Sequence, residues 1–476
     1  MKEAFAIVIL AAGQGTRFKS KKAKVLHEVG GRPLIAHVVR TAQALSPEAI
    51  FVIVGYQAEA VIESLRELAG PQPGESIRFI RQAEPLGTGH ALRCGQAALE
   101  SAAPRLLVLY GDTPLLTPLT LQQFLESHLR TGAAASVLTA QREDPAGYGR
   151  ILRGPDNAVT GIVEQKSASP EQLRIREVNT GIYCFETKLL FPEVERLTPD
   201  PTTGEYYLTD VIGLLTSRGH KVAAYEAPHA QEVMGVNNRA EMAEVDAILR
   251  ARKATDLMLA GVTIIRPETV LIDPDAEVGA DTVIEPGVSL LGRTRVGEDC
   301  RIGAFSVITD SEIADGVNVQ PSCVITEAKV AAGAAIGPFA RLRPGTEIGP
   351  EARIGNFVEV KNTRVGRRAR AGHLTYLGDA TVGENTNIGA GTITCNYDGE
   401  KKNLTVIEDE VFIGSGTELV APVRVGQGAY VAAGSTITEE IPPGSLAIAR
   451  SRQVTKPGWV RQRKRKAAKE GSKPAL

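Results

Sequence analysis

The chain has 476 residues, enough for two or three domains, with 43% hydrophobic and only 5% aromatic content. Its formal net charge is −1, so no global field recruits nucleic acid or a membrane surface, and anionic ligands must be met by local clusters. The five cysteines (Cys94, Cys184, Cys300, Cys323, Cys395) are scattered, odd in number and without metal-ligand spacing, which fits reduced thiols and argues against a disulfide framework or a zinc module.

Strand and helix patterns alternate first. Residues 6–10 form a short apolar run ended by glycines, 33–45 have helical apolar spacing, and 50–55 read as strand. Residues 58–68 read as helix, 77–81 as strand, and 106–110 as a buried strand closing on Gly111-Asp112. Such alternation predicts a mainly parallel sheet covered by helices on both faces. A single long helical pattern over 238–260 follows and reads as a rigid connector. The expected organisation is a domain over 1–237, a helical linker over 238–261 and a second domain over 262–476. The basic end from Arg461 reads as a solvated, mobile terminus. No apolar run of membrane-spanning length occurs, and the first residues open a strand rather than a cleavable signal, so the expectation is a cytoplasmic protein.

The second domain carries the strongest regularity. Val278, Ile284, Leu290, Val296, Ile302 and Ile308 recur at every sixth position, as do Ile336, Leu342, Ile348, Ile354 and Val360, and later Ile413, Leu419, Val425, Val431 and Ile437. A helix repeats its faces at 3.6 and seven residues and cannot hold this register. A coil of short strands can, with three six-residue sides per triangular turn and the aliphatic residue pointing to the axis. Glycine often follows at once, as at Gly279, Gly297, Gly303, Gly337, Gly349, Gly355, Gly414 and Gly426, and is expected at corners that need unusual dihedrals. Cys300 and Cys323 fall within repeats, where a small buried hydrophobe is expected.

Two segments carry chemistry. Leu10-Ala11-Ala12-Gly13-Gln14-Gly15-Thr16-Arg17 lies directly after the first apolar run, where small residues let backbone N–H groups approach a phosphate chain. Arg17 stands near where a dinucleotide fingerprint needs its third glycine, so that reading is poor. The cations Arg17 and Lys24 behind the loop suit a triphosphate with a pyrophosphate leaving group. In the second domain the repeat breaks for Cys395-Asn-Tyr-Asp-Gly-Glu-Lys-Lys-Asn403, an insertion that must leave the coil as an arm. His373 lies near Arg343 and Lys361 in sequence, and a histidine titrates in the right range to accept a proton from an attacking amine.

The motif Leu-Ala-Ala-Gly-x-Gly-Thr-Arg followed by Lys24-Val-Leu-His resembles the sugar-1-phosphate nucleotidylyltransferases. Gln82-Ala-Glu-Pro-Leu-Gly87-Thr88-Gly-His, Tyr110-Gly111-Asp112, Gly147-Tyr-Gly149-Arg, Val163-Glu164, Asn179-Thr-Gly and Gly235-Val-Asn237-Asn match in order. With the repeats, nearly the whole chain resembles the bacterial bifunctional family that joins N-acetylglucosamine-1-phosphate uridylyltransferase to glucosamine-1-phosphate acetyltransferase. Ala23, where many members have proline, is a departure that leaves the role of Lys24 intact.

The resemblance implies an α/β Rossmann-like nucleotidyltransferase domain followed by a left-handed parallel β-helix. It implies that Asp112 and Asn237 hold Mg²⁺, while Arg17 and Lys24 neutralise charge as the sugar phosphate attacks UTP. Leu10, Ala11, Ala12, Gly13, Tyr110 and Gly111 would border the nucleotide, with Gln82, Gly87 and Thr88 reading the uracil edge. Gly149, Glu164 and Asn179 would hold the sugar. In the coil, the resemblance to hexapeptide-repeat acetyltransferases assigns His373 as general base and Arg343 and Lys361 as a phosphate clamp. Tyr376 and Asn387, with Asn396 and Tyr397 on the arm, would position glucosamine and acetyl group, and Ala390, Ser415, Ala433 and Arg450 would line the acetyl-CoA site. A homotrimer with grooves between chains is the family's habit. The nucleotide sugar so made would feed peptidoglycan and lipopolysaccharide synthesis. Two rivals are a single-activity nucleotidylyltransferase on an inert coil and a non-catalytic regulatory protein. The intact His373, Arg343 and Lys361 weigh against the first, and Asp112, Arg17, Lys24 and Asn237 against the second.

Overall fold

The computed structural model describes residues 4–68 and 76–470, and the chain divides into two units, Met1–Lys253 and Ala254–Leu476. The first is built on a mixed sheet of β1 (Ala6–Ala11), β2 (Ile50–Val54), β3 (Ile77–Arg81), β4 (Arg105–Tyr110), β5 (Ala135–Gln141), β6 (Gly149–Arg153), β7 (Val159–Val163), β8 (Glu177–Glu186) and β9 (Val222–Glu226). The main path runs β9-β5-β8-β4-β1-β2-β3, with β6 joined to β8 and β7 joined to β6. β1 is buried along its whole length because both faces are covered: Ile7 and Ile9 enter one core, Val8 and Leu10 the other.

The parallel expectation holds for β1 with β2 and β4, for β2 with β3 and for β5 with β9. It fails at β8, which runs antiparallel to both β4 and β5. The chain reaches β8 through the antiparallel pair β6–β7, so it re-enters the sheet from the opposite end without the helical crossover a parallel strand needs. β1 and β4 pair with Leu10 opposite Tyr110. The glycine loop after one and Asp112 after the other therefore emerge side by side, at the carboxyl edge where such sheets bind ligands.

The helix Arg239–Leu259 is not a bare rod. Val245, with Met242, Ile248 and Leu249, packs in a cluster with Phe18, Val29, Leu34 and Leu115, whereas Ala254 and Leu257 belong to the core of the second unit.

In the second unit the named strands pair in parallel. Val283 lies opposite Arg301 and Leu290 opposite Ile308, eighteen positions on, and seventeen where a corner is one residue shorter, as at Val296 and Ile313. Three six-residue sides per turn account for the spacing. Ile284, Leu290, Ile302, Ile308, Ile336, Leu342, Ile354, Val360, Ile413, Leu419 and Val425 are each fully buried in one continuous core, worth roughly 1.5–3 kcal/mol apiece in transfer free energy. The insertion shows as a jump: Ile388 pairs with Ile413, and the extra chain folds into an arm closed by an antiparallel bridge between Tyr397 and Lys402. Outside, Glu277, Arg295, Glu312, Lys329, Glu347 and Arg364 stack in register with alternating sign, which avoids like charges on neighbouring coils.

The glycine expectation holds at Gly337, whose φ is +96°, and needs correction elsewhere. Gly279, Gly297, Gly303, Gly349, Gly355, Gly414 and Gly426 do not have positive φ, and many left-handed corners are non-glycine, such as Phe305, Phe339, Phe357 and Leu374. These glycines are required by close approach of the next coil: a Cβ on Gly303 would lie 2.5 Å from the Pro321 nitrogen, and one on Gly355 1.9 Å from the Gly372 carbonyl oxygen. Gly372 itself would meet nothing within 4 Å. Gly355→Ala is therefore expected to destabilise the coil by about 1–3 kcal/mol and Gly372→Ala to change it little, as read by urea unfolding followed by circular dichroism. Equal effects of the two would refute the close-approach explanation.

Cys184, Cys300 and Cys323 are buried, Cys94 is exposed, and all five thiols are free. The basic end is solvated as expected, its described side chains all exposed, and Trp459–Glu470 form a helix, because Arg, Lys, Gln and Ala are good helix formers. No described helix is long and apolar enough to cross a membrane.

Candidate active sites

A cleft of about 800 Å³ opens at the carboxyl edge of the first sheet. Leu10, Ala11, Ala12, Gly13, Arg17, Lys24, Gln82, Gly87, Thr88, Tyr110, Asp112, Gly149, Glu164, Asn179 and Asn237 all line it. Gly111 is the only sequence-singled residue of this domain outside the lining; it packs under the cleft floor, its amide bonded to the Leu10 carbonyl at 3.0 Å. Gly13 would meet nothing if it carried a Cβ, so its backbone faces open space that a phosphate chain can fill.

One polar cluster dominates. Lys24 Nζ pairs with Asp112 Oδ2 and lies 3.5 Å from Asn237 Oδ1, which also accepts from Arg17 Nη2 at 2.8 Å. The Asn237 segment is tied to the strand end because the Val236 amide donates to the Asp112 carbonyl at 2.9 Å. The carboxylate and amide oxygens thus converge on one ammonium. Two hard oxygens directed at one cation fit Mg²⁺, which takes one or two protein ligands and leaves its other positions to phosphate and water.

The far end of the cleft is built for hydroxyl and amide groups. Asn179 stands opposite Gly149 on paired strands and donates to Tyr183 Oη at 2.7 Å, while its Oδ1 accepts from the Gly181 amide at 3.1 Å. Gly181 has φ +82°, and a Cβ there would lie 2.8 Å from the Tyr110 ring, so glycine is needed for the ring to border the cleft. Burial pushes the Glu164 carboxyl up against the bond that Thr209 donates to it at 3.1 Å. Burial likewise pushes the Tyr110 phenol up.

The second constellation follows one corner and one side of the coil. Register puts His373 directly over Asn356 and Tyr376 over Glu359. His373 Nδ1 is 2.7 Å from Asn356 Oδ1. An amide oxygen only accepts, so Nδ1 carries a proton, and in the neutral ring the lone pair is then on Nε2, the form a general base requires. Arg343 Nη1 donates to Glu359 Oε1 at 2.9 Å. Lys361 shares the strand of Glu359, and its side-chain hydrogen bond with Lys402, on the arm, backed by its positive charge, holds the Lys402 pKa below the usual lysine value. Asn396 at the arm's base donates to Asp379, which also accepts from Asn362 at 2.6 Å. Asp398 closes the arm's turn by accepting from the Lys401 and Glu400 amides, which bring its pKa down to about 2, and Tyr397 projects into solvent.

Ala390, Ser415, Ala433 and Arg450 form a column on successive coils. The Ala390 carbonyl accepts from Gly416 at 2.7 Å and the Ser415 carbonyl from Gly434 at 2.8 Å; the Arg450 guanidinium donates to the Ala433 carbonyl. Asn387 is not brought to Arg343 and Lys361. It opens a strand of the eleven-stranded side, whereas Arg343, Lys361 and Tyr376 lie on or beside strands of the seventeen-stranded sheet. The corner between these sides carries Phe339, Phe357 and Leu374, which are 52%, 55% and 62% exposed, with the two phenyl rings stacked at 5.3 Å.

Sequence reasoning missed Asn356, Glu359 and Asp379. Register would have found them: each lies seventeen positions from a residue already singled out, under His373, under Tyr376 and below Asn396.

The comparisons agree with this architecture. Residues 7–209 match the family described as MobA-like NTP transferase domain, and 275–310 and 404–439 match the bacterial transferase hexapeptide repeats. A "Bifunctional protein GlmU" of Koribacter versatilis is 49% identical over 470 residues, covering 98% of each chain. Proteins of the same name from Shouchella clausii, 47% identical over 96% of this chain and 98% of theirs, and from Anaeromyxobacter sp., 49% identical over 99% and 95%, match similarly.

Proposed function

This chain belongs to the bifunctional GlmU family, and on that premise we propose that its two clusters of polar residues carry the two transfers of UDP-N-acetylglucosamine synthesis. The protein acetylates glucosamine-1-phosphate from acetyl-CoA and joins N-acetylglucosamine-1-phosphate to UTP, releasing pyrophosphate. The observation that supports the assignment best is that a cation-rich oxygen-ligand cluster and a histidine whose Nδ1 is held by an amide oxygen occur in one chain.

In the first reaction His373 Nε2 takes a proton from the sugar amine as the nitrogen attacks the thioester carbonyl, and coenzyme A leaves as the thiol. Arg343 and Lys361 hold the sugar phosphate, with Lys402 of the arm beside Lys361. Tyr376, Asn387, Asn396 and Tyr397 orient the amine and the acetyl group, and the column of Ala390, Ser415, Ala433 and Arg450 receives the coenzyme.

In the second reaction Arg17 and Lys24 neutralise the triphosphate while a sugar-phosphate oxygen attacks the α-phosphorus. Leu10 to Gly13 present backbone to the phosphates, Gln82, Gly87 and Thr88 face the base, and Gly149, Glu164 and Asn179 hold the N-acetyl sugar. Asp112 and Asn237 would hold Mg²⁺, which when bound would offset phosphate charge on the triphosphate. UTP-dependent pyrophosphate release and glucosamine-1-phosphate-dependent coenzyme A release, assayed on one preparation, test the pair of activities; loss of either from a folded protein returns the coil or the sheet to a scaffold role.

The acetyl site calls for other copies of the chain, because Asn387 and the phosphate clamp lie on different sides of one coil. A cytoplasmic homotrimer packed along the exposed Phe339–Phe357–Leu374 corner would bring them together between chains. Phe357→Asp is expected to give monomers by light scattering and to abolish acetyl transfer while sparing uridylyl transfer. A trimer that persists would place the interface elsewhere.

A further inference from the structure

We propose that His90 is a positioning residue for base selection: it fixes which end of the Gln82 amide faces the nucleobase. The proposal rests on the reading that Gln82 meets the base edge. Gln82 follows β3, with its backbone amide bonded to the Val54 carbonyl at 2.8 Å and only 6% of its surface exposed. Its Nε2 lies 3.0 Å from the Gly87 carbonyl oxygen and 3.0 Å from His90 Nδ1. A peptide carbonyl only accepts, so the NH₂ end must face Gly87. His90 Nδ1 then accepts the second amide hydrogen, which puts the ring proton on Nε2, 3.7 Å from Cys94 Sγ.

Both amide hydrogens are thereby engaged inside the protein. Gln82 Oε1 has no partner among the described residues and is not a sealed-off polar atom, so it remains open to the cleft that Gln82 lines. The site offers an acceptor there. Uracil presents its N3–H as a donor, whereas cytosine presents a lone pair at N3 and would set acceptor against acceptor. A site that hydrogen-bonds a donor rejects an analogue lacking it because the buried partner is left unpaired. If Nδ1 were absent, one of the two bonds that oppose an amide flip would go, and the flipped amide would meet cytosine with its NH₂.

The test compares kcat/KM for UTP and CTP in the full-length protein. His90→Leu is expected to lower the UTP:CTP ratio by about tenfold, the loss of one hydrogen bond's bias. His90→Asn, whose Oδ1 can accept where Nδ1 does, is expected to restore it. His90→Ala gives the same reading should the leucine variant fail to fold. A general structural role would lower both substrates equally and leave the ratio unchanged, which overturns the proposal. Failure of His90→Asn to restore the ratio overturns it too. Gln82→Leu separates the two levels: if it leaves the ratio intact, Gln82 does not read the base and the underlying reading fails; if it collapses the ratio while His90→Leu does not, only the role of His90 fails.

Discussion

His373→Ala is expected to lower acetyl transfer by roughly 10²–10⁴-fold, the range for removing a positioned general base, and to leave uridylyl transfer unchanged. The imidazole is exposed, so its loss creates no cavity, and the coil's core beneath it does not include it. Asn356→Ala is expected to do less. Without its Oδ1 at 2.7 Å from Nδ1, the ring is free to place its proton on either nitrogen and to rotate, which costs a fraction of the competent population rather than the base itself. Coenzyme A release monitored with a thiol reagent reads both variants, and pyrophosphate release on the same samples is the control. If His373→Ala retained wild-type acetyl transfer, the base would lie elsewhere; if it lost both activities while folded, the two sites would not be independent.

How much of this was legible in the sequence depends on the range of the interaction concerned. The coil could be read because a side-chain period of six is a local property that repeats, and each predicted aliphatic position from Ile284 to Ile437 is buried. The reversal of β8 could not, because direction in a sheet is set by pairing with β4 and β5, distant in sequence, and nothing in residues 177–186 encodes it. Apart from Gly337, the repeated glycines were seen but given the wrong cause: the 1.9–2.7 Å that a Cβ on them would leave to the next coil reflects a relation between turns, whereas a dihedral is local. The site residues divide in the same way. Motifs found Lys24 and Asp112 separately, but their ion pair joins a short helical turn to a distant strand end, and the Asn356 partner of His373 appears only once the coil length is known.

That ion pair makes Asp112 the second position with a large expected effect. Its carboxylate does two things that no neighbour duplicates on the same atoms: it pairs with Lys24 Nζ, and with Asn237 Oδ1 it completes a pair of oxygens directed at one cation. Lys24 and Asp112 are only 16% and 14% exposed, so solvent screens them less than a surface pair. Asp112→Ala removes the carboxylate paired with Lys24 and releases that lysine from its fixed position, so uridylyl transfer is expected to fall by roughly 10³-fold or more with acetyl transfer intact. Asp112→Asn keeps an oxygen in place without its charge. It is expected to raise the Mg²⁺ concentration giving half-maximal pyrophosphate release and to weaken Mg²⁺ binding measured by calorimetry in the presence of UTP. Were Asp112→Asn to bind Mg²⁺ as the wild type does, the carboxylate's work would reduce to holding Lys24, and a Lys24→Ala variant would then reproduce the whole loss.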